Sequence, residues 1–147
     1  MTRRLWLIPC ALLAAAACSK KADTGTDTAA TPGTTTTAEA LNVTGVDLGR
    51  TIDANSRVTD KTDDFKPNDT IYASVATTGT SPNATLSARW TYQDGQVVDT
   101  TSRAIAPAGA AATEFHISKP SGFPKGNYKV EIMLNGASVQ SKDFKVE

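Results

Sequence analysis

The amino-acid sequence predicts an all-β domain, a two-sheet antiparallel sandwich of about seven strands. Between residues 41 and 147, apolar and polar residues alternate in several short segments, as they do in half-buried strands. Turn-forming dipeptides separate these segments at the spacing typical of sandwiches. No segment of this region has the period of an amphipathic helix.

Two strands are expected in the first third of the domain. Val46 and Leu48 share one face of the first strand, and a turn follows at residues 53–56. Successive side chains of a strand point to opposite faces, which identifies the core residues of a second strand across residues 69–77. Its inward side chains are Ile71, Ala73 and Val75, and its outward side chains are Thr70, Tyr72 and Ser74.

A third strand, across residues 84–93, is expected to form a hairpin with the strand that follows it. The dipeptide Asp94-Gly95 favours a type I′ turn, because both residues tolerate positive φ. The chain then continues through Gln96–Val98 as the next strand. The inward residues of the third strand are Leu86, Ala88, Trp90 and Tyr92.

The remaining strands complete the predicted sandwich. Phe115 and Ile117 lie on one face of a strand across residues 113–118. The last strand follows a turn at Asn135-Gly136. Val139 has an odd residue number whereas Phe144 and Val146 have even ones, so a regular strand would place Val139 on the opposite face. A β-bulge at residues 141–143 is therefore expected to bring these three side chains onto one face. The strand before that turn, residues 127–134, has as its inward residues Tyr128, Val130, Ile132 and Leu134.

The N-terminal residues predict export and lipidation. Arg3 and Arg4 precede an apolar run of 13 residues, 5–17, which is too short for a membrane-spanning helix of about 20 residues. Small residues then lead directly to Cys18. This motif resembles the bacterial lipobox, in which a peptidase cleaves before the cysteine and the cysteine is acylated, although Ala15 stands where the lipobox has leucine. Ordinary signal cleavage and an uncleaved anchor are the alternatives.

Acylation of Cys18 would hold the mature protein on a lipid bilayer, since several acyl chains anchor a protein that one chain binds only reversibly. In Gram-negative lipoproteins, an Asp after the cysteine tends to retain the protein in the inner membrane. Ser19 occupies this position here. Resemblance to this sorting rule implies the outer membrane, facing the periplasm, and a Gram-positive surface location is the alternative.

The chain is therefore expected to have three parts. Residues 1–17 form a cleaved signal peptide, residues 18–40 a lipidated cysteine with a disordered tether, and residues 41–147 the sandwich domain. The tether is rich in Thr and Ala and has too little apolar surface to offset the entropy of ordering. As a flexible coil, its residues 19–40 would span roughly 26 Å on average.

Charge and cysteine content narrow the classes of function. Without residues 1–17 the chain carries 13 basic and 15 acidic side chains, a net charge of −2, and the basic residues are scattered among the acids. Nucleic-acid binding requires a clustered basic surface and is not expected. Cys18 is the only cysteine of the mature chain, which leaves the domain without a disulfide, a thiol nucleophile or a Cys-based metal site.

Two clusters resemble immunoglobulin-like domains. The segment Ala88–Gly95 (Ala-Arg-Trp-Thr-Tyr-Gln-Asp-Gly) resembles their third strand, which carries a buried Trp ahead of a hairpin. Gly126-Asn-Tyr128-Lys-Val130 resembles the start of their sixth strand, with Val130 in place of a disulfide cysteine. The resemblance implies that the Tyr128 hydroxyl hydrogen-bonds a nearby backbone group, the tyrosine corner.

The region from Leu41 to Glu147 is also similar to uncharacterised proteobacterial lipoproteins, which carry one immunoglobulin-like domain behind a Thr/Ala-rich tether. The segments that carry this similarity are Phe65–Tyr72, Pro120–Tyr128 and Phe144–Val146. The similarity implies a fold and a location but no activity, because sandwich folds support many unrelated functions.

No catalytic residue, metal site, cofactor or small-molecule substrate is indicated. The single histidine, His116, is expected to point outward as an ordinary surface residue, and no G-x-S-x-G nucleophile motif accompanies it. An acidic segment is expected to be a solvated loop, because lysines interleave and the spacing differs from that of a calcium loop. A calcium site is the alternative for its residues, Asp60, Asp63, Asp64 and Asp69.

The candidate partner-binding residues are Phe123, Lys119 and Lys125, in a loop that also contains Pro120 and Pro124. A rigid, exposed aromatic residue between two lysines would anchor a protein partner. The alternative, which we favour, is that Phe123 closes the end of the sandwich and the prolines stiffen the connection.

These observations predict a non-enzymatic, membrane-anchored envelope lipoprotein whose immunoglobulin-like domain binds a protein or a glycan. The alternative is an envelope inhibitor of a protease or lysozyme that acts through loops at one end of the sandwich. Immunoglobulin-like inhibitors use an N-P-T-T-G loop motif, to which Thr77-Thr-Gly79 is only a short match. A hydrolase or metal enzyme is the least favoured class, since one histidine and no cysteine leave little from which to build a site.

Overall fold

The computed structural model describes residues 39–147, and within this range the regular secondary structure consists of strands alone. No helix of the described residues is long and apolar enough to cross a membrane. The predicted signal peptide, Cys18 and almost all of the predicted tether lie outside the described residues and stay predictions. The strands are β1 (Asn42–Gly49), β2 (Asp64–Phe65), β3 (Ile71–Thr78), β4 (Ala84–Tyr92), β5 (Gln96–Ile105), β6 (Ala111–Ile117), β7 (Gly126–Leu134) and β8 (Ala137–Val146).

The strands form two sheets. The smaller sheet has three strands in the order β1-β3-β6, and the larger sheet has five in the order β2-β8-β7-β4-β5. All strand pairs are antiparallel except β2 with β8, where Asp64 pairs with Lys145. The predicted all-β, two-sheet sandwich is therefore confirmed. The two-residue β2 is too short to leave an alternation pattern in the sequence.

The hydrophobic core lies between the sheets and consists mainly of the side chains that alternation assigned inward, together with Phe65 of β2 and Phe123 of the loop after β6. Two serines on outward positions, Ser74 and Ser87, are nevertheless buried, and the Ser87 hydroxyl hydrogen-bonds that of Ser102 on β5 at 2.8 Å. Tyr92 and Leu134, also assigned inward, are only partly buried at the core margin. The central inward residues of β3 and β4 are fully buried: Ile71, Ala73, Val75, Leu86, Ala88 and Trp90.

The bulge in the last strand differs in position from the prediction. The β7–β8 register passes from Ile132 opposite Gln140 to Met133 opposite Ser138, so the extra residue is Val139. Its side chain is 43 % exposed, whereas Phe144 is buried. The prediction of a bulge at residues 141–143 was wrong because it assumed that Val139 belongs to the core.

The two predicted hairpin turns have different outcomes. Asn135 and Gly136 have φ values of 52° and 83°, as a type I′ turn requires. In the β4–β5 turn, positive φ occurs at Gln93 (46°) and Gly95 (101°) but not at Asp94. The predicted type I′ turn at residues 94–95 is therefore wrong, and a three-residue loop, 93–95, joins these strands.

Aromatic residues organise the centre of the core. Trp90 is fully buried and meets the edge of Phe144 at a ring-centroid distance of 5.8 Å. The Tyr128 hydroxyl donates a hydrogen bond of 2.7 Å to the carbonyl oxygen of Pro124. This bond confirms the tyrosine corner that the resemblance implied.

Candidate functional site

The two ends of the sandwich differ. We call the end at which the described chain begins the proximal end. There the Thr80 amide donates a hydrogen bond to the carbonyl oxygen of Glu39. A Cβ at Gly79, where φ is +100°, would lie 2.3 Å from the carbonyl oxygen of Ala40, so this approach requires glycine. The end that we call distal carries the β4–β5 turn and the loop of residues 118–125. One strand length, roughly 25 Å, separates the two ends.

A cleft opens at the distal end between β5 and β6, which are the outermost strands of the larger and smaller sheets. We call it the distal cleft, and its volume is about 640 Å³. Because the smaller sheet has fewer strands than the larger one, it leaves much of β5 uncovered. The cleft is lined by Tyr92, Gln96, Val97, Val98, Asp99, His116, Ile117, Ser118, Lys119, Phe123, Pro124 and Tyr128.

One wall of the distal cleft is apolar and exposed. Val97 and Val98 are 50 % and 38 % exposed, although both are large hydrophobic residues. The register of β4 with β5 passes from Trp90 opposite Asp99 to Thr91 opposite Val97, so Val98 is the extra residue of a bulge. Sequence reasoning treated this segment only as the continuation of a hairpin. The sequence feature that could have indicated this apolar wall is the pair of adjacent valines, which interrupts the alternation of a polar strand.

The floor of the cleft is aromatic. The rings of Tyr92 and Tyr128 lie 4.7 Å apart, and Phe123 meets Tyr128 edge-on at 6.1 Å. The Tyr92 hydroxyl donates a hydrogen bond of 3.0 Å to the carbonyl oxygen of Lys125, which fixes its ring. Burial raises the pKa of the Tyr128 hydroxyl, and the neighbouring Tyr92 adds to the effect, so Tyr128 is a neutral donor at physiological pH.

The loop that holds the candidate partner-binding residues supports the alternative that we favoured for Phe123. Its side chain is only 4 % exposed, so an exposed aromatic anchor at this position is wrong. The Phe123 amide donates a hydrogen bond of 2.7 Å to the carbonyl oxygen of Pro67, which holds the loop against the domain. Lys119 lines the distal cleft with Phe123, whereas Lys125 is not part of the lining.

His116 lies at the rim of the cleft and points outward, as predicted. Its side chain is 48 % exposed, its Nδ1 contacts the Glu114 carboxylate, and its ring packs at 5.4 Å from Tyr72. Glu114 also pairs with Arg103 of β5 at 3.4 Å, so this carboxylate joins the edges of the two sheets. The arrangement orients the imidazole, and among residues 39–147 its recorded polar contact is with Glu114 rather than with a nucleophile.

Three of the four carboxylates of the acidic segment, those of Asp60, Asp63 and Asp69, are engaged within the domain. Asp60 Oδ1 accepts hydrogen bonds from the backbone amides of Thr51 (2.8 Å) and Arg50 (3.0 Å) and from the Thr51 hydroxyl. Burial alone would raise the pKa of Asp60, but these hydrogen bonds outweigh it and hold the pKa below its usual value. In residues 39–147, no three His, Cys, Asp or Glu side chains form a group that could hold a metal ion. Two further ion pairs are Asp63 with Lys142 at 2.9 Å and Asp69 with Arg50 at 3.1 Å.

A comparison with protein-family profiles gives no match, and neither does a comparison with curated protein sequences. Solved structures do share the fold. An immunoglobulin-like protein from Pseudomonas aeruginosa superposes with a TM-score of 0.52 at 14 % identity, over 76 % of this chain and 99 % of that one. The domain is therefore an immunoglobulin-like sandwich, and at this identity the likeness concerns the fold alone.

Two other structures are more distant. The alkylpurine DNA glycosylase of Pseudomonas fluorescens, bound to DNA with an abasic-site analogue, has a TM-score of 0.48 at 15 % identity over 75 % of this chain. This chain spans only 31 % of that protein. A CARDB domain from Pyrococcus furiosus, in complex with di-metal ions, has a TM-score of 0.47 at 10 % identity, over 76 % of this chain and 90 % of that one.

Proposed function

We propose that this protein is a non-enzymatic lipoprotein of the bacterial envelope, anchored in the outer membrane through Cys18, whose immunoglobulin-like domain binds a partner protein in the distal cleft. The observation that carries the proposal is the cleft itself. It combines an exposed apolar wall with a rigid aromatic floor, and such concave, partly apolar surfaces are typical of binding sites.

The position of the cleft fits an anchored binding module. The described chain begins at the proximal end, and the cleft opens at the distal end. A lipid on Cys18 would attach the protein through residues that precede the proximal end. In a single copy, the predicted tether and the length of the sandwich would then both separate the cleft from the membrane.

The chemistry of the cleft favours binding over catalysis. In the described part of the chain, His116 makes no hydrogen bond to a serine hydroxyl, and the cleft contains no activated nucleophile. Its tyrosine hydroxyls serve structural hydrogen bonds to backbone carbonyl groups.

A protein partner fits the cleft better than a glycan does. Sugars are commonly held against exposed aromatic rings, but Tyr128 and Phe123 are buried in the cleft floor and only Tyr92 is partly exposed. Val97 and Val98 instead offer an apolar wall that a partner side chain can cover. The inhibitor hypothesis is less favoured, because Phe123, the one aromatic residue of the loop of residues 118–125, turns inward and is not available to insert into an active site.

Site-specific photo-crosslinking in intact cells tests the proposal. A photoreactive amino acid is placed at Lys119, in the cleft, or at Asn83, an exposed residue of the proximal end. We expect one discrete protein adduct from position 119 and none from position 83. The partner identified from that adduct must then bind the purified domain. Equal labelling from both positions, or no adduct from position 119, would contradict the proposal.

A further inference from the structure

We infer that β5 is a self-association edge, through which two copies of this chain join their larger sheets by antiparallel β5–β5 pairing. The strand is the last in the order of the larger sheet, and no described strand pairs with its outer side. Its ten residues are exposed except for Thr101 and Ile105, which are partly buried. A long free edge of this kind presents unpaired backbone amide and carbonyl groups to another strand.

β5 lacks two of the devices that keep edge strands apart, proline and lysine, and carries two others, a bulge and charged side chains on the core-facing side, where Asp99 and Arg103 lie opposite Trp90 and Leu86. The segment Gln96–Ile105 has no proline and no lysine. The single irregularity is the bulge at Val98, which lies near the start of the strand. The stretch after it, Asp99–Ile105, pairs regularly with β4 and is therefore extended and ready to accept a second strand.

Charge complementarity identifies the occupant as a second copy and fixes the register. The regular stretch contains one acid, Asp99, and one base, Arg103, which share a face because they are four residues apart. In antiparallel self-pairing about Thr101, each Asp99 lies opposite the Arg103 of the other copy, twice in the dimer. No other antiparallel register of the strand with itself places these charges opposite each other. In-register parallel pairing would bring like charges together, which is unfavourable.

The side chains of Asp99 and Arg103 are both accessible for this pairing. Asp99 accepts a hydrogen bond of 2.9 Å from the Thr101 hydroxyl and forms no ion pair among the described residues. Arg103 pairs with Glu114 at 3.4 Å and its guanidinium lies 5.7 Å from the centre of the Phe115 ring, but its side chain is half exposed, so it can bind a second carboxylate from its open side. The resulting sheet would be continuous across both copies, with Thr101 at the two-fold axis.

The pairing is compatible with attachment of both copies to one membrane, a step that rests on the proposed lipid anchor. Since β5 runs from the distal to the proximal end, antiparallel pairing places the two proximal ends at opposite ends of the dimer. A strand of ten residues is roughly 33 Å long. A tether of residues 19–40 reaches about 70 Å when extended, which is sufficient for both copies.

Sedimentation equilibrium of the chain from Ser19 onward tests the inference without any ligand, so its outcome is separate from that of the proposed function. We expect reversible dimers at concentrations up to about 1 mM, the effective concentration typical of tethered modules. Asp99→Arg and Arg103→Asp should each weaken association at least about tenfold. An equimolar mixture of these two variants, and the double variant D99R/R103D, should recover affinity to within about threefold, because opposite charges again face each other.

A second variant covers the possibility that Arg103→Asp destabilises the domain through Glu114. Thr101→Lys places two lysines at the two-fold axis and should abolish the dimer, whereas Ser121→Lys, in an exposed distal turn, should not. A wild-type chain that stays monomeric at about 1 mM would overturn the inference. So would undiminished association of folded Thr101→Lys, or a mixture of charge variants that stays monomeric.

Discussion

The hydroxyl group of Tyr128 donates a hydrogen bond of 2.7 Å to the carbonyl oxygen of Pro124, four residues earlier in the chain. This bond links the start of β7 to the loop of residues 118–125 and thereby fixes the floor of the distal cleft. The ring of Tyr128 also stacks on Phe144 at 5.3 Å, which connects the loop to the core.

Tyr128→Phe is expected to lower the free energy of unfolding by about 1 kcal/mol, because it removes one hydrogen bond and leaves the Pro124 carbonyl unpaired. Urea unfolding at neutral pH measures the change. Tyr72→Phe is the matched control, since the Tyr72 hydroxyl makes no hydrogen bond among the described residues and lies on the outer face. Equal losses in the two variants would show that the tyrosine corner adds nothing specific.

The two apolar residues of β8 that sequence reasoning placed together should differ sharply on truncation. Phe144→Ala should cost about 3–5 kcal/mol, because Phe144 packs against Phe65, Trp90 and Tyr128 and its loss leaves a cavity. Val139→Ala should cost less than about 0.5 kcal/mol, since Val139 lies in an exposed bulge. Chemical denaturation checks both values, and a comparable cost at Val139 would argue against the bulge.

Asp60 should make stability depend on pH in the acid range. Its pKa in the folded state lies below the usual 3.8, so its contribution is present above that pH and is lost as the pH falls through the folded-state value. Asp60→Asn should therefore reduce the free energy of unfolding at pH 7 and flatten its fall below pH 3.8. Thermal unfolding between pH 2 and pH 7 measures both effects. Asp94→Asn, in an exposed turn, serves as the control and should leave the fall in the free energy of unfolding at acid pH unchanged.

Metabolic labelling with an alkyne fatty acid tests the anchor. The wild-type chain should incorporate the label and fractionate with the outer membrane, because several acyl chains hold a protein on a bilayer. Cys18→Ser should remove both the label and the membrane association. Cys10→Ser is the control for the other cysteine of the sequence and should leave labelling intact. A labelled Cys18→Ser variant would contradict the assignment of the lipidation site.

Local sequence patterns predicted most of the fold. Alternation located the core positions of β3, β4 and β7, because one buried face requires apolar residues at every second position. Alternation failed at Val139 and the turn dipeptide failed at Asp94-Gly95, because bulges and turn geometry depend on the partner strand rather than on the residues themselves. The distal cleft was not predictable, since it arises from the unequal widths of the two sheets. Lys119 and Phe123 were identified, but their shared lining of the cleft depends on how the loop folds back.

The most direct test of the account compares two matched substitutions in the loop of residues 118–125, measured against the partner recovered by crosslinking. Ser118 lines the cleft and Ser121 does not, and both are exposed. Ser118→Trp should fill the cleft and raise the Kd for the partner at least about tenfold, while Ser121→Trp leaves the Kd unchanged. Unfolding midpoints of both variants should match the wild type. An equal Kd for the two variants would contradict binding through the distal cleft.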